Sequence, residues 1–116
     1  MSTIDERRRA PRVSVSLVLN VVLKKGKAHY VLETKNVSNW GLCFSSERVF
    51  PVGTQLHLVF GRSPDLPPLT AEGIVKWSED GKGFGVEFTS ISPNDQLTLL
   101  KFLNSQLTGS HSKTNS

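Results

Sequence analysis

The sequence predicts an all-β fold, a small six-stranded antiparallel β-barrel with a C-terminal α-helix. Three observations carry this expectation. Apolar and polar residues alternate over short stretches along most of the chain. Glycine, proline, asparagine and aspartate cluster between those stretches, as turns require. After Ser92 the apolar spacing changes from two to three or four.

The first strand is expected from Val13, where Val13, Val15, Leu17, Leu19, Val21 and Leu23 alternate with polar residues such as Ser14, Ser16 and Asn20. Lys25-Gly26-Lys27 reads as a hairpin turn. Ala28 to Lys35 forms the second strand, with Tyr30, Leu32 and Thr34 on one face and Val31 on the other. A polar turn, Asn36-Val37-Ser38-Asn39-Trp40-Gly41, leads into a third strand from Gly41 to about Ser46. Pro51-Val52-Gly53 breaks the chain before a fourth strand holding Leu56, Leu58 and Phe60. Gly61 to Pro68 contains three prolines and reads as a loop. A fifth strand covers about Leu69 to Ser78, Asp80-Gly81 supplies a hairpin turn, and a sixth holds Phe84, Val86 and Phe88. Ser92 then caps a helix, Pro93 suits its first position and Asp95 its positive end. Leu97, Leu99, Leu100, Phe102, Leu103 and Leu107 make an apolar stripe, and Gly109 is the expected stop.

This divides the chain into a flexible basic arm over 1–12, a barrel with its helix over 13–107, and a disordered polar tail over 108–116. A length of 116 residues suits one domain and a core that needs no disulfide. No apolar run is long enough to span a membrane, and no apolar segment follows the N-terminal charges as in a secretory signal. A single cysteine, Cys43, fits a reducing compartment, and the expected location is the cytoplasm. Cys43 itself reads as a buried strand residue.

The formal charge is +4, and its distribution is uneven. Arg7, Arg8, Arg9 and Arg12 fall within six positions; without them, ten basic residues face ten acidic ones. The surplus therefore sits in the arm, which suits a compact anion better than a long polyanion. Arg8 and Arg12 are four apart, and Pro11 disfavours helix there, so an extended arm points both to one side. Their planar forks of donors can grip phosphate oxygens, and their flat faces can stack on purines. Asn36 and Ser38 share a face in strand-like geometry. Asn offers both a donor and an acceptor to a base edge, and Ser a small hydroxyl. Gly41 permits a positive φ or a close ligand approach.

Arg8-Arg9-Ala10-Pro11-Arg12 matches the pattern Arg-x-x-x-Arg, and Asn36-Val37-Ser38-Asn39-Trp40-Gly41 matches Asp/Asn-x-Ser-x-x-Gly. In this order, and followed by Gly83-Phe84-Gly85-Val86-Glu87-Phe88, they resemble the PilZ domain family over roughly residues 6 to 107. The resemblance implies a split-barrel fold of bacterial signalling proteins and the second messenger cyclic di-GMP as ligand. It implies Arg8 and Arg12 as the main grips on phosphates and guanine faces. Asn36 and Ser38 would hold the guanine edge or the arm, and Gly41 would shape the turn. Arg7 joins this ligand-binding set. Arg9, Asn39, Trp40 and Trp77 are secondary candidates, the two tryptophans as surfaces for a base or for packing.

The function expected is a receptor or adaptor. Nucleotide binding orders the arm and signals to a separate partner protein, with no bond made or broken. One nucleotide or a stacked pair per domain, and a monomer or a homodimer, are both compatible. Neither a catalytic motif nor a cluster at metal spacing stands out: His29, His57 and His111 are scattered. No enzyme activity, cofactor, metal, membrane insertion or nucleic-acid polymer is therefore expected. A barrel that binds a protein partner without nucleotide is the alternative. Single-stranded nucleic-acid binding would need exposed aromatics, and most here alternate as core residues do.

Overall fold

The computed structural model describes residues 12–26, 28–61 and 66–115, with side chains as far as Leu107. Six strands form one closed antiparallel barrel, in the order β1-β2-β3-β6-β5-β4 and back to β1. They are β1 Val18–Leu23, β2 His29–Val37, β3 Gly41–Ser45, β4 Gln55–Phe60, β5 Thr70–Glu79 and β6 Gly83–Ser90. Closure pairs β1 with both β2 and β4, so neither end of the sheet is an open edge.

The alternation seen in the sequence is what fills the barrel. Leu19 and Val21 from β1, Leu56, Leu58 and Phe60 from β4, Val75 from β5 and Phe84 from β6 are all essentially inaccessible. Burying each such side chain stabilises the fold by about 1.5–3 kcal/mol. Val31, the residue expected on the other face of β2, is 67% exposed. Phe84 packs against Phe44 and Phe50 with ring centroids 5.0 and 5.3 Å apart, and Tyr30 adds an edge contact to Phe50. The β1–β2 and β5–β6 turns each need a left-handed residue, supplied by Gly26 at φ 86° and Gly81 at φ 76°.

Two expectations are corrected. Val13 to Leu17 alternate in burial as expected, yet they are not a continuous strand: β1 begins at Val18, and Val13 makes only a single bridge to Val37. The reason is Thr34. Its buried hydroxyl accepts from Leu17 N at 2.9 Å and donates to Val15 O at 2.7 Å, beside a register shift between Thr34 and Asn36. A side chain thus replaces ladder bonds, and the segment runs alongside β2.

The second correction is the helix end. Helix α1 spans Pro93–Asn115, so its backbone passes the expected stop at Gly109 and continues into the expected tail. A glycine inside a helix costs only about 1 kcal/mol relative to alanine, which does not compel a stop. Its start is as expected: Asp95 N donates to Ser92 Oγ at 3.1 Å and Gln96 N to Ser92 O at 2.8 Å. Leu99, Phe102 and Leu103 join the barrel core, whereas Leu97, Leu100 and Leu107 face outward.

Candidate functional site

The turn that carries the second motif is built by Ser38. Ser38 N donates to Gly41 O at 2.8 Å, Ser38 Oγ donates to the same oxygen at 3.3 Å and accepts from Trp40 N at 3.1 Å. Only 2% of Ser38 is exposed. Its one hydroxyl proton is engaged within the turn, so any ligand contact must use the remaining acceptor lone pair. Gly41 is not among the glycines with positive φ. A Cβ there would collide with Val86 O and stand 3.1 Å from Glu87 Cα. The close passage of β6 by itself requires glycine here.

Arg12 lies over this region of the barrel. Its Nη1 donates to Asn36 Oδ1 at 2.7 Å and approaches Cys43 Sγ at 3.8 Å. The register explains why those two acceptors are together: Asn36 pairs with Cys43, Cys43 with Gly85, and Gly85 with Trp77. These four residues form one row across β2, β3, β6 and β5. A cleft of about 190 Å³ follows this row, and Arg12, Trp40, Cys43, Lys76, Trp77 and Glu87 are among the residues around it. Trp40 and Trp77 are 37% and 45% exposed, so flat apolar surface borders the cleft. Lys76 and Glu87 form a loose ion pair at 3.7 Å. Chemically, the cleft offers a fixed guanidinium, indole surface and a glycine-lined floor, a set suited to an anion carrying a planar ring.

Of the expected site residues, Arg12, Ser38, Gly41, Trp40 and Trp77 come together at the cleft, with Asn36 behind Arg12. Asn39 is in the turn but does not border the cleft; among the described residues its Oδ1 is buried without a hydrogen-bond partner. Arg7, Arg8 and Arg9 lie outside the described residues. Cys43, Lys76, Gly85 and Glu87 were not singled out as site residues from sequence. Their place depends on strand register, which the pattern of residue types does not specify across non-consecutive strands.

The PilZ domain profile matches residues 6–105 of this chain. No curated protein matches it by sequence. Among solved structures, the PilZ domain of YcgR from Escherichia coli, solved with c-di-GMP, superposes with a TM-score of 0.73 at 12% identity, covering 95% of this chain and 98% of that one. The Bacillus subtilis inhibitor of motility MotI/DgrA gives a TM-score of 0.72 at 18% identity, over 88% of this chain and 52% of that one. The K. pneumonia MrkH–c-di-GMP complex gives 0.72 at 18% identity, over 92% and 55%. This chain therefore spans about half the length of MotI/DgrA and MrkH. A closed six-stranded barrel with a C-terminal helix, carrying both motifs in order and matched by the domain profile over residues 6–105, makes this chain a member of the PilZ domain family.

Proposed function

We propose that this chain is a cyclic di-GMP receptor that signals through a separate protein partner. The observation that carries the reading is Arg12. Its guanidinium donates to Asn36 Oδ1, a neutral amide oxygen, lies 3.8 Å from Cys43 Sγ, and shares the cleft with exposed indole surface. A guanidinium fixed by a neutral acceptor keeps its positive charge for a phosphate. At about 190 Å³ the cleft is smaller than the 300–1,000 Å³ usual for a whole small-molecule site. It suits one part of a dinucleotide, and the arm bearing Arg7, Arg8 and Arg9 closes over the rest. Membership of the PilZ family, together with fold likeness to the YcgR PilZ domain and MrkH structures that contain c-di-GMP, supports the ligand's identity.

Binding shifts the arm's population towards the closed state, and the closed arm and barrel present a combined surface to the partner. The chemistry requires no catalytic group, and we place the protein in the bacterial cytoplasm, where the messenger is made. A nucleotide-independent adaptor is the second reading. It is favoured by Leu97, Leu100 and Leu107, 50%, 38% and 47% exposed on α1, away from the cleft.

Isothermal titration separates the two. Saturable heat with cyclic di-GMP, and none with GTP or cyclic di-AMP, is expected of the receptor. No heat with cyclic di-GMP at high protein concentration would leave the adaptor reading standing alone.

A further inference from the structure

Trp77 reaches the outside of the barrel only because β5 breaks its own alternation. Ala71, Gly73 and Val75 are buried at every second position. At strict period two, Trp77 would follow them into a core already filled by Phe84 and Phe44. A register shift instead separates the pair Val75–Val86 from the pair Trp77–Gly85, leaving Lys76 as the extra residue. Bulges of this kind re-aim side chains. Beyond it Lys76 and Trp77 are both exposed, and both border the cleft.

Once outside, the indole needs somewhere to lie. A Cβ on Gly85 would come within 2.6 Å of Trp77 Cδ1 and 2.7 Å of Cε2, and it would collide with Nε1. The pyrrole ring of the indole occupies the space where residue 85 has no side chain. Gly41 and Gly83 are different. There the nearest obstructions are the backbone oxygens Val86 O and Phe44 O, so both glycines serve strand packing. At Gly85 all three nearest atoms belong to one side chain. In its present place, the indole leaves no room for a Cβ at this position.

We propose that Gly85 is a positioning residue of the ligand cleft. Its missing side chain seats the Trp77 indole against β6, adjoining the column where Arg12 covers Cys43, and this seat adapts the cleft to an anion that carries a planar heterocycle. The proposal rests on the cyclic di-GMP reading for its ligand, but the seating of Trp77 is a property of the free protein.

Three variants test it: Gly85→Ala, Trp77→Ala and the double variant. Titration with cyclic di-GMP should show about tenfold weaker binding for Trp77→Ala, the loss of one stacking surface, and a similar loss for Gly85→Ala. The double variant should bind no more weakly than Trp77→Ala, since no indole is left for the added methyl group to displace. In the free protein, with Trp40→Phe so that Trp77 reports alone, Gly85→Ala should raise acrylamide quenching and flatten the near-ultraviolet dichroism of the indole. If Gly85→Ala folds poorly, removing the indole should restore folding in the double variant. Unchanged quenching and affinity in Gly85→Ala would overturn the proposal, as would a double variant as unstable as Gly85→Ala. A wild type that ignores cyclic di-GMP would refute the ligand reading, while the quenching comparison would still decide the seating of Trp77.

Discussion

Two outer faces of one barrel hold a cation in different ways. Across β1, β4 and β5, Glu72 accepts from Lys24 Nζ at 2.5 Å and lies 3.2 Å from His57 Nδ1. Lys24 there is paired with an opposite charge, and the pair has little field left to offer a ligand. Across β2, β3, β6 and β5, Arg12 is held by the amide oxygen of Asn36, which carries no formal charge, with Cys43 Sγ 3.8 Å away. A hydrogen bond to a neutral carbonyl fixes the guanidinium without cancelling it. The lesson is that a cation is informative according to what holds it. Lys24 and Arg12 are both anchored, but among the described residues only Lys24 is anchored by an opposite charge. The comparison also explains why Asn at position 36 suits this site: it orients Arg12, whereas a carboxylate there would orient and partly neutralise it.

The sharpest way to break this contrast is to remove one cation from each face. Arg12→Ala deletes a charge-assisted contact of about 1.5–3 kcal/mol, so cyclic di-GMP should bind roughly ten- to a hundredfold more weakly. Lys24→Ala should leave the titration unchanged, although both variants lose the same formal charge. Equal losses from the two would mean that net charge alone attracts the nucleotide, and the distinction between the faces would collapse.

A smaller effect separates holding from gripping. Asn36→Ala keeps the Arg12 charge but removes its best acceptor, leaving the Cys43 contact at 3.8 Å. Losing one such hydrogen bond should weaken nucleotide binding by about 1 kcal/mol, near fivefold, clearly less than the loss of Arg12 itself. An Asn36→Ala variant as weak as Arg12→Ala would show that Asn36 contacts the nucleotide directly, as base recognition by this residue requires.

How much of this was legible in the residues alone follows from range. The barrel was, because each strand declares its buried face through neighbours two apart: Leu19 and Val21, Leu56 and Leu58, Phe84 and Val86. The helix start was, because Ser92, Pro93 and Asp95 act within a single turn. The pairing of Arg12 with Asn36 was partly legible, since the two motifs announce themselves, but not the part Cys43 plays, which depends on its register opposite Asn36. The bulge at Lys76 leaves no mark in the sequence, because lysine is ordinary on any exposed strand. Yet without it Trp77 would point inward. Ser38 is ambiguous for the opposite reason: its residue type suits both a ligand contact and a turn, and local geometry engages its proton in the turn.

The smallest expected effect lies on the compensated face. Lys24 and then His57, as hydrogen-bond partners, hold the Glu72 carboxyl below its ordinary value of 4.5. Glu72 therefore binds its proton less readily in the folded protein than in the unfolded chain. The stability it contributes is complete above pH 4.5 and disappears as pH falls through the lower folded value. Its side chain is 35% exposed and that of Lys24 45%, so solvent screening keeps this contribution under about 1 kcal/mol. Thermal unfolding of Glu72→Gln at low salt should accordingly run slightly below wild type near neutral pH and converge with it in acid, with cyclic di-GMP affinity unchanged. A gap that persisted in acid would mean that Glu72 acts through packing against β4, and that its charge is incidental. A change in nucleotide affinity would mean that the two faces are coupled through β5, the strand they share. Either result would redraw the division of labour around the barrel.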